Sequence, residues 1–210
     1  MSSTVVTKSS LRLVLIVLAG LMVGAAAALA IFPEARQRLL PASAPSVGRA
    51  LVGGPFTLTD QTGKRVTDKD FRGRYTLVFF GFTYCPDVCP SALQVMAAAL
   101  DKLGPEGQKI TPLFITVDPE RDGPAQLASY LKSFHPRLVG LTGTPAEIEA
   151  VTKAYRVYVK KVADPKSSAG YTFDHSAIIY LMGPDGAYLA HFTHATSVDA
   201  MAERLAKLLH

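Results

Sequence analysis

Residues 75–90 read YTLVFFGFTYCPDVCP, and the break in the middle of this stretch decides the fold. Its first half, Tyr75 to Phe82, is a continuous apolar run of the length and composition of a strand buried on both faces. Its second half holds both cysteines of the 210-residue chain, Cys85 and Cys89, just past the strand's C-terminal end. In an open α/β sheet that end is where ligands gather. Proline lacks an N–H and its ring clashes deep inside a helix, so Pro90 predicts a regular helix beginning about there. Cys85 to Val88 then form a turn, and Cys89 stands near the helix N-terminus, where backbone N–H groups and the helix dipole would stabilise its thiolate.

Working outward, "PFTLTDQTGKRVT" alternates around Asp60-Gln-Thr-Gly63 as a short hairpin does. Ser91 to Leu103 has helical spacing, Thr111 to Val117 is a second buried strand, and Pro124 to Phe134 reads as a helix with its proline in the first turn. Thr144-Pro-Ala-Glu147 is a capping box that opens a helix to about Tyr155. "YRVYVKKV" alternates as an exposed or edge strand would. "SAIIYLM" and "AYLAHFT" flank Gly183-Pro-Asp-Gly186, a hairpin turn, and Val198 to Leu209 closes the chain as an amphipathic helix. Alternating βα units followed by a hairpin and a helix predict an α/β sandwich around a central mixed sheet. No Gly-rich phosphate loop follows any strand, so nucleotide binding has no support.

From Leu13 to Phe32 there are twenty consecutive residues without a charge. At about 1.5 Å per residue a helix of that length spans roughly 30 Å, the thickness of a bilayer's hydrocarbon. Lys8 and Arg12 supply the positive flank that a signal peptide and a signal anchor both need, and Ala28-Leu29-Ala30 would suit a signal peptidase. The run exceeds the roughly 7–15 residues of a signal-peptide core, which favours an uncleaved anchor. Residues 1–12 are then a cytoplasmic flank, 13–32 a transmembrane anchor, 33–50 a Pro/Ala/Ser-rich linker and 51–210 the folded domain outside. The net charge of +5 comes from scattered Lys and Arg with no basic run interleaved with aromatics, which points away from nucleic acid and toward anionic lipid or an acidic partner.

The spacing of Cys85 and Cys89 lets both sulfurs point the same way, close enough to join as a disulfide or to grip one ion. A structural bridge across so short a loop would contribute only modestly to stability. Among His135, His175, His191, His194 and His210, His175 stands out as a third ligand. It precedes the strand "AII" of "YTFDHSAII", and the start of an antiparallel neighbour can lie beside the end of the strand leading to Cys85. Asp174 or a nearby backbone carbonyl would orient its ring. Two thiolates and one imidazole suit copper, Cu(I) above all and Cu(II) as well, whereas a structural zinc site wants a fourth ligand. His191 and His194 fall on opposite faces of an outer strand and, with His135 and His210, read as solvated or capping. Asp118 follows a buried strand and reads as capping the turn that Pro119 enforces.

"CPDVCP", "TVDPERD" and "DHSAIIYLMGPDG", in that order behind one apolar segment, resemble the Sco/SenC family of copper proteins. The resemblance covers about Leu51 to the C-terminus. It implies a thioredoxin-like fold carrying the N-terminal hairpin as an extension, on a single N-terminal transmembrane helix in the bacterial inner membrane, with the domain in the periplasm, or in the mitochondrial inner membrane. It implies copper on Cys85, Cys89 and His175; the residues themselves offer Asp87, Asp118 and Asp174 as neighbours able to tune the site. The implied role is maturation of the dinuclear copper centre of cytochrome c oxidase subunit II, with copper received from a donor protein. The alternative is a membrane-tethered thiol:disulfide oxidoreductase that reduces that subunit's cysteines or those of other periplasmic proteins. A peroxidase fits less well, because Thr83 stands two residues before Cys85 where the peroxiredoxin pattern places it three before.

Overall fold

The structure is a computed structural model in which residues 51–167 and 169–209, together with Gly20, are described. The anchor and linker expected at 13–50 lie outside the described residues, apart from Gly20, as does His210. Among the described residues no helix is long and apolar enough to cross a membrane.

The chain from residue 51 builds strands β1 (Thr57–Asp60), β2 (Arg65–Thr67) and β3 (Tyr75–Gly81), helix α1 (Val88–Lys102), strand β4 (Ile110–Thr116), helix α2 (Pro124–Leu131) and strand β5 (Val139–Thr142). It continues with helix α3 (Pro145–Ala154), strands β6 (Val159–Ala163), β7 (Tyr171–His175), β8 (Ile178–Met182) and β9 (Tyr188–Thr193), and helix α4 (Val198–Leu208). Seven strands form one mixed sheet in the order β2-β1-β5-β4-β3-β8-β9, and β6 and β7 form a separate antiparallel ribbon.

The centre of the sheet follows from apolar runs. All seven residues of β3 are buried, and β4 pairs with it in parallel from Tyr75 opposite Ile110 to Gly81 opposite Thr116. Strand side chains alternate between faces, so a wholly buried strand requires cover on both. Helix α1 supplies part of it by burying Cys89, Ala92, Leu93, Met96 and Leu100, which share one helical face, and α1 and α4 pack against each other. On the other side of β3 runs β8, antiparallel, with Ile179 opposite Phe79. This is the neighbour that the position of His175 predicts.

The expected hairpin forms, and β1 also pairs with β5, so it extends the main sheet. The capping box closes as read: the Thr144 hydroxyl accepts from the Glu147 N–H and the Glu147 carboxylate accepts from the Thr144 N–H at 2.8 Å. One expectation needs correction. Helix α1 begins at Val88, ahead of Pro90, because the N–H that proline lacks would have no partner in a first turn anyway. The exposed strand read in "YRVYVKKV" forms as β6, and it pairs with residues 171–175, a strand the sequence reading leaves as a lead-in to β8.

Candidate metal and thiol centre

Between the end of β3 at Gly81 and the start of α1 the chain turns once, with the Cys85 N–H bonded to the Phe82 carbonyl at 3.2 Å. Asp87 occupies the N-cap position of α1, yet its side chain caps nothing. The sulfur of Cys85 does so instead, accepting from the Cys89 N–H at 3.4 Å. Cys85 is half-buried and Cys89 fully buried, and both thiols are free.

That arrangement sets the character of each sulfur. The Cys89 thiol hydrogen-bonds the Cys85 sulfur, the N–H groups of Cys89 and Asp87 add to it against the effect of burial, and the Cys85 pKa falls to about 5. The same hydrogen bond, made from the donor's side, raises the Cys89 pKa, and burial raises it further. The activated thiol is therefore Cys85, not the Cys89 expected from the helix terminus. The N–H groups at that terminus point at the sulfur that caps the helix, not at the one carried within its first turn.

Gly81 makes the seat for Cys89. A β-carbon at this position would stand 2.8 Å from the Cys89 sulfur and 2.9 Å from the Phe114 ring, closer than packed atoms approach.

His175 ends β7, where it pairs with Val159. Its ring lies edge-on to Phe82 and Phe79, with centroids at 5.9 and 6.5 Å. Nδ1 donates to the Ser176 carbonyl at 3.2 Å, so the backbone fixes the tautomer, one of the two orienters expected. Nε2 is left as the free lone pair, 3.8 Å from the Cys89 sulfur. Burial pushes the His175 pKa down, which keeps the ring neutral near pH 7.

The acidic candidates separate. Asp174 is exposed and Asp87 accepts only a long bond from the Ser91 hydroxyl at 3.5 Å. Asp118 is fully buried, paired with Arg121 and hydrogen-bonded by the Tyr171 hydroxyl at 3.1 Å. Its backbone carbonyl accepts the Arg121 and Asp122 N–H groups, so the turn is closed by the main chain and not by the side chain expected to cap it. Of the histidines set aside, His191 is exposed and accepts or donates at 2.5 Å with the Tyr188 hydroxyl, and His194 is exposed. His135 is buried, and of the two roles read for it takes the capping one, its Nδ1 accepting the Arg137 N–H at 3.2 Å.

Sequence reasoning misses Asp122. Fully buried, its carboxylate accepts the Thr83 N–H at 2.9 Å, the Thr83 hydroxyl at 2.6 Å and the Thr116 hydroxyl at 2.6 Å. It ties the residue two before Cys85 to the end of β4. The only sequence signal is an acid placed four residues beyond Asp118 on the same strand-end loop, which no local rule marks as buried.

Two sulfurs and a neutral imbidazole lone pair can exchange a disulfide or hold a soft ion. Metal–sulfur and metal–nitrogen bonds of about 2.3 and about 2.0 Å put two ligands of one ion no more than about 4.3 Å apart, and the 3.8 Å between Cys89 and His175 lies within that reach. Among the described residues no three His, Cys, Asp or Glu side chains stand as a metal cluster, and Cys85 would have to supply the third donor. The donor set fits copper on that condition.

Comparison with known proteins agrees with this chemistry. A family model described as SCO1/SenC matches residues 44–210. The human mitochondrial protein SCO1 homolog is 49% identical over 152 residues, covering 70% of this chain and 49% of its own length, so the chain spans about half the length of such curated relatives. The solved structure of Bradyrhizobium japonicum ScoI with copper bound is 49% identical, covers 74% of this chain and 98% of its own, and superposes with a TM-score of 0.68. BsSco, described as a member of the Sco family of cytochrome c oxidase assembly proteins with a disulfide switch, is 28% identical with a TM-score of 0.59, over 75% of this chain and 92% of its own. The mixed sheet is thus the thioredoxin-like fold of those structures, and the chain belongs to the SCO1/SenC family.

Proposed function

We propose that this chain is a membrane-anchored copper chaperone that holds copper through Cys85, Cys89 and His175 and assists maturation of the dinuclear copper centre of cytochrome c oxidase subunit II. The observation that carries the reading is the convergence of a neutral His175 Nε2 on the Cys89 sulfur at 3.8 Å, beside a second, activated thiol. A copper-bound relative of 49% identity and the oxidase-assembly role given for BsSco support it. A donor protein loads the site, and residues 13–32 hold the chain in the inner membrane with residues 51–210 on the periplasmic side, or in the mitochondrial inner membrane. Copper here is cargo, and the protein's part is to present soft ligands and release them by exchange.

Anaerobic titration of the reduced full chain with Cu(I), in competition with a chromophoric chelator, tests the ligand set. Cys85→Ala, Cys89→Ala and His175→Ala should each weaken binding, and undiminished affinity in His175→Ala overturns the three-ligand reading.

The unequal thiols favour a second reading, a thiol:disulfide oxidoreductase. The Cys85 thiolate attacks one sulfur of a partner disulfide, the other leaving as a thiolate, and a mixed disulfide forms. Cys89, whose donated hydrogen bond no longer has a thiolate to serve, then gives its proton to the partner's released thiolate and attacks the Cys85 sulfur, breaking the mixed disulfide. The partner's second sulfur leaves as a thiolate that takes a proton from water, and this chain carries the disulfide. Alkylation of the reduced chain should label Cys85 first, with a rate that falls as pH drops through about 5; preferential labelling of Cys89 would reverse the assignment. Because ligating thiolates cannot be in a disulfide, oxidation should abolish tight Cu(I) binding and reduction restore it.

A further inference from the structure

The ribbon that carries His175 shares no strand pairing with the seven-stranded sheet that carries the cysteines. A two-stranded ribbon is marginal by itself, and neither β6 nor β7 contains a fully buried residue. Something other than a hydrogen-bonded ladder must set where the imidazole stands.

Arg121 occupies the junction. Its guanidinium lies over the Tyr171 ring at 4.1 Å and over the Tyr84 ring at 4.7 Å, with Phe82 at 5.9 Å. Tyr84 directly precedes Cys85, and Tyr171 opens the strand that His175 ends. Nε pairs with the buried Asp118 carboxylate, and Nη1 donates to Ser167 in the ribbon's turn at 3.4 Å. Among the described residues Nη2 is buried without a hydrogen-bond partner. A buried donor left unpaired is unfavourable, so the group is held there for its flat faces, which interact with the two rings. Asp118 completes the seat by accepting from the Tyr171 hydroxyl at 3.1 Å on its other oxygen. Lys161 adds an outer contact, over Tyr171 at 3.8 Å and paired with Glu120 at 2.7 Å.

We infer that Arg121 is a positioning residue for metal capture: wedged between Tyr84 on the cysteine loop and Tyr171 on the ribbon, it seats the ribbon so that His175 faces the thiols. Arg121 touches no ligand and acts through the ribbon. The inference rests on the ligand reading above, but the seat itself exists without metal and is testable without it.

The experiment uses the full chain with Arg121→Ala, Arg121→Lys, His175→Ala and the Arg121→Ala/His175→Ala double variant. In the metal-free protein, hydrogen exchange across residues 159–175 should accelerate in Arg121→Ala while β3 and α1 keep their protection. In anaerobic Cu(I) competition, Arg121→Ala should lose affinity by about 10- to 100-fold, as removing an outer support of a ligand does. The double variant should bind no more weakly than His175→Ala alone, since residues acting through one another are not additive. Arg121→Lys keeps a charge for Asp118 but not a plane for the rings, and should fall between. Additive losses in the double variant, or unchanged ribbon exchange in Arg121→Ala, overturn the inference. If His175→Ala binds Cu(I) as the parent does, the ligand reading fails instead, and the exchange data still decide whether Arg121 seats the ribbon. Should Arg121→Ala not fold, the same readouts on Arg121→Lys and Tyr171→Leu decide it.

Discussion

The two halves of the centre stand on unlike foundations. Cys85 and Cys89 follow a strand whose seven residues are all buried, and Asp122 fastens their loop to the neighbouring strand end through three hydrogen bonds. His175 comes from a ribbon without a fully buried residue, located by ring contacts and one guanidinium. The difference separates the stability of the fold from the completeness of the site. Damage to the supports of the cysteine loop should lower global stability, whereas damage on the ribbon side should leave global stability nearly intact and present thiols without an imidazole.

The sharpest test is Asp122→Ala. It removes the acceptor of the part-buried Thr83 N–H and hydroxyl and of the buried Thr116 hydroxyl, and at the usual penalty for such groups left unpaired the loss should be about 3 kcal/mol in urea denaturation. Gly81→Ala comes next: the added carbon meets the Cys89 sulfur and the Phe114 ring inside contact distance, and overpacking of this kind destabilises by about 2 kcal/mol. On the ribbon, Phe173→Ala removes a ring 5.7 Å from Phe82 and 5.7 Å from Tyr171. Because local opening does not require global unfolding, its global loss should stay below about 1 kcal/mol while ribbon amides exchange faster. A global loss as large as that of Asp122→Ala would erase the contrast.

The smallest effect lies far from either half. Arg65, with the Thr144 N–H, lowers the Glu147 pKa to about 2 from an ordinary 4.5. A carboxylate with a depressed pKa contributes stability that is complete above the ordinary value and is lost as pH falls through the folded one. The parent should therefore be slightly more stable than Glu147→Gln at neutral pH, and that margin should vanish as pH drops from 4.5 toward 2. Both side chains are partly exposed, and solvent screening keeps the shift in midpoint small.

What the sequence made legible was local. The apolar runs of β3 and β4, the Thr144–Glu147 cap and the turn at Gly183–Gly186 each announce themselves within a few residues, and their order implies the sheet. Cys85, Cys89 and His175 drew notice because their chemistry is rare and because β8, which begins just after His175, runs beside β3. The activation of Cys85 was not, since it depends on which sulfur meets the N–H of residue 89, a matter of one turn's geometry. Asp122 and Arg121 were quoted within a motif without being weighed, because their partners lie 39 residues back at Thr83 and 46 residues ahead at Ser167. The pairing of β6 with β7 was hidden for a related reason: alternation reveals a strand but not the strand it pairs with.

The unequal exposure of the two sulfurs gives the proposed exchange a direction. Cys89 is sealed beneath the turn and Cys85 is half-buried beside the exposed Tyr84. On the proposed ligand set an incoming acceptor meets the ion from the Cys85 side, so the outermost bond yields first and the sealed one last. Such a centre is a socket with a single mouth, and it suits an acceptor that offers its own ligands from a projecting loop over one with a flat face.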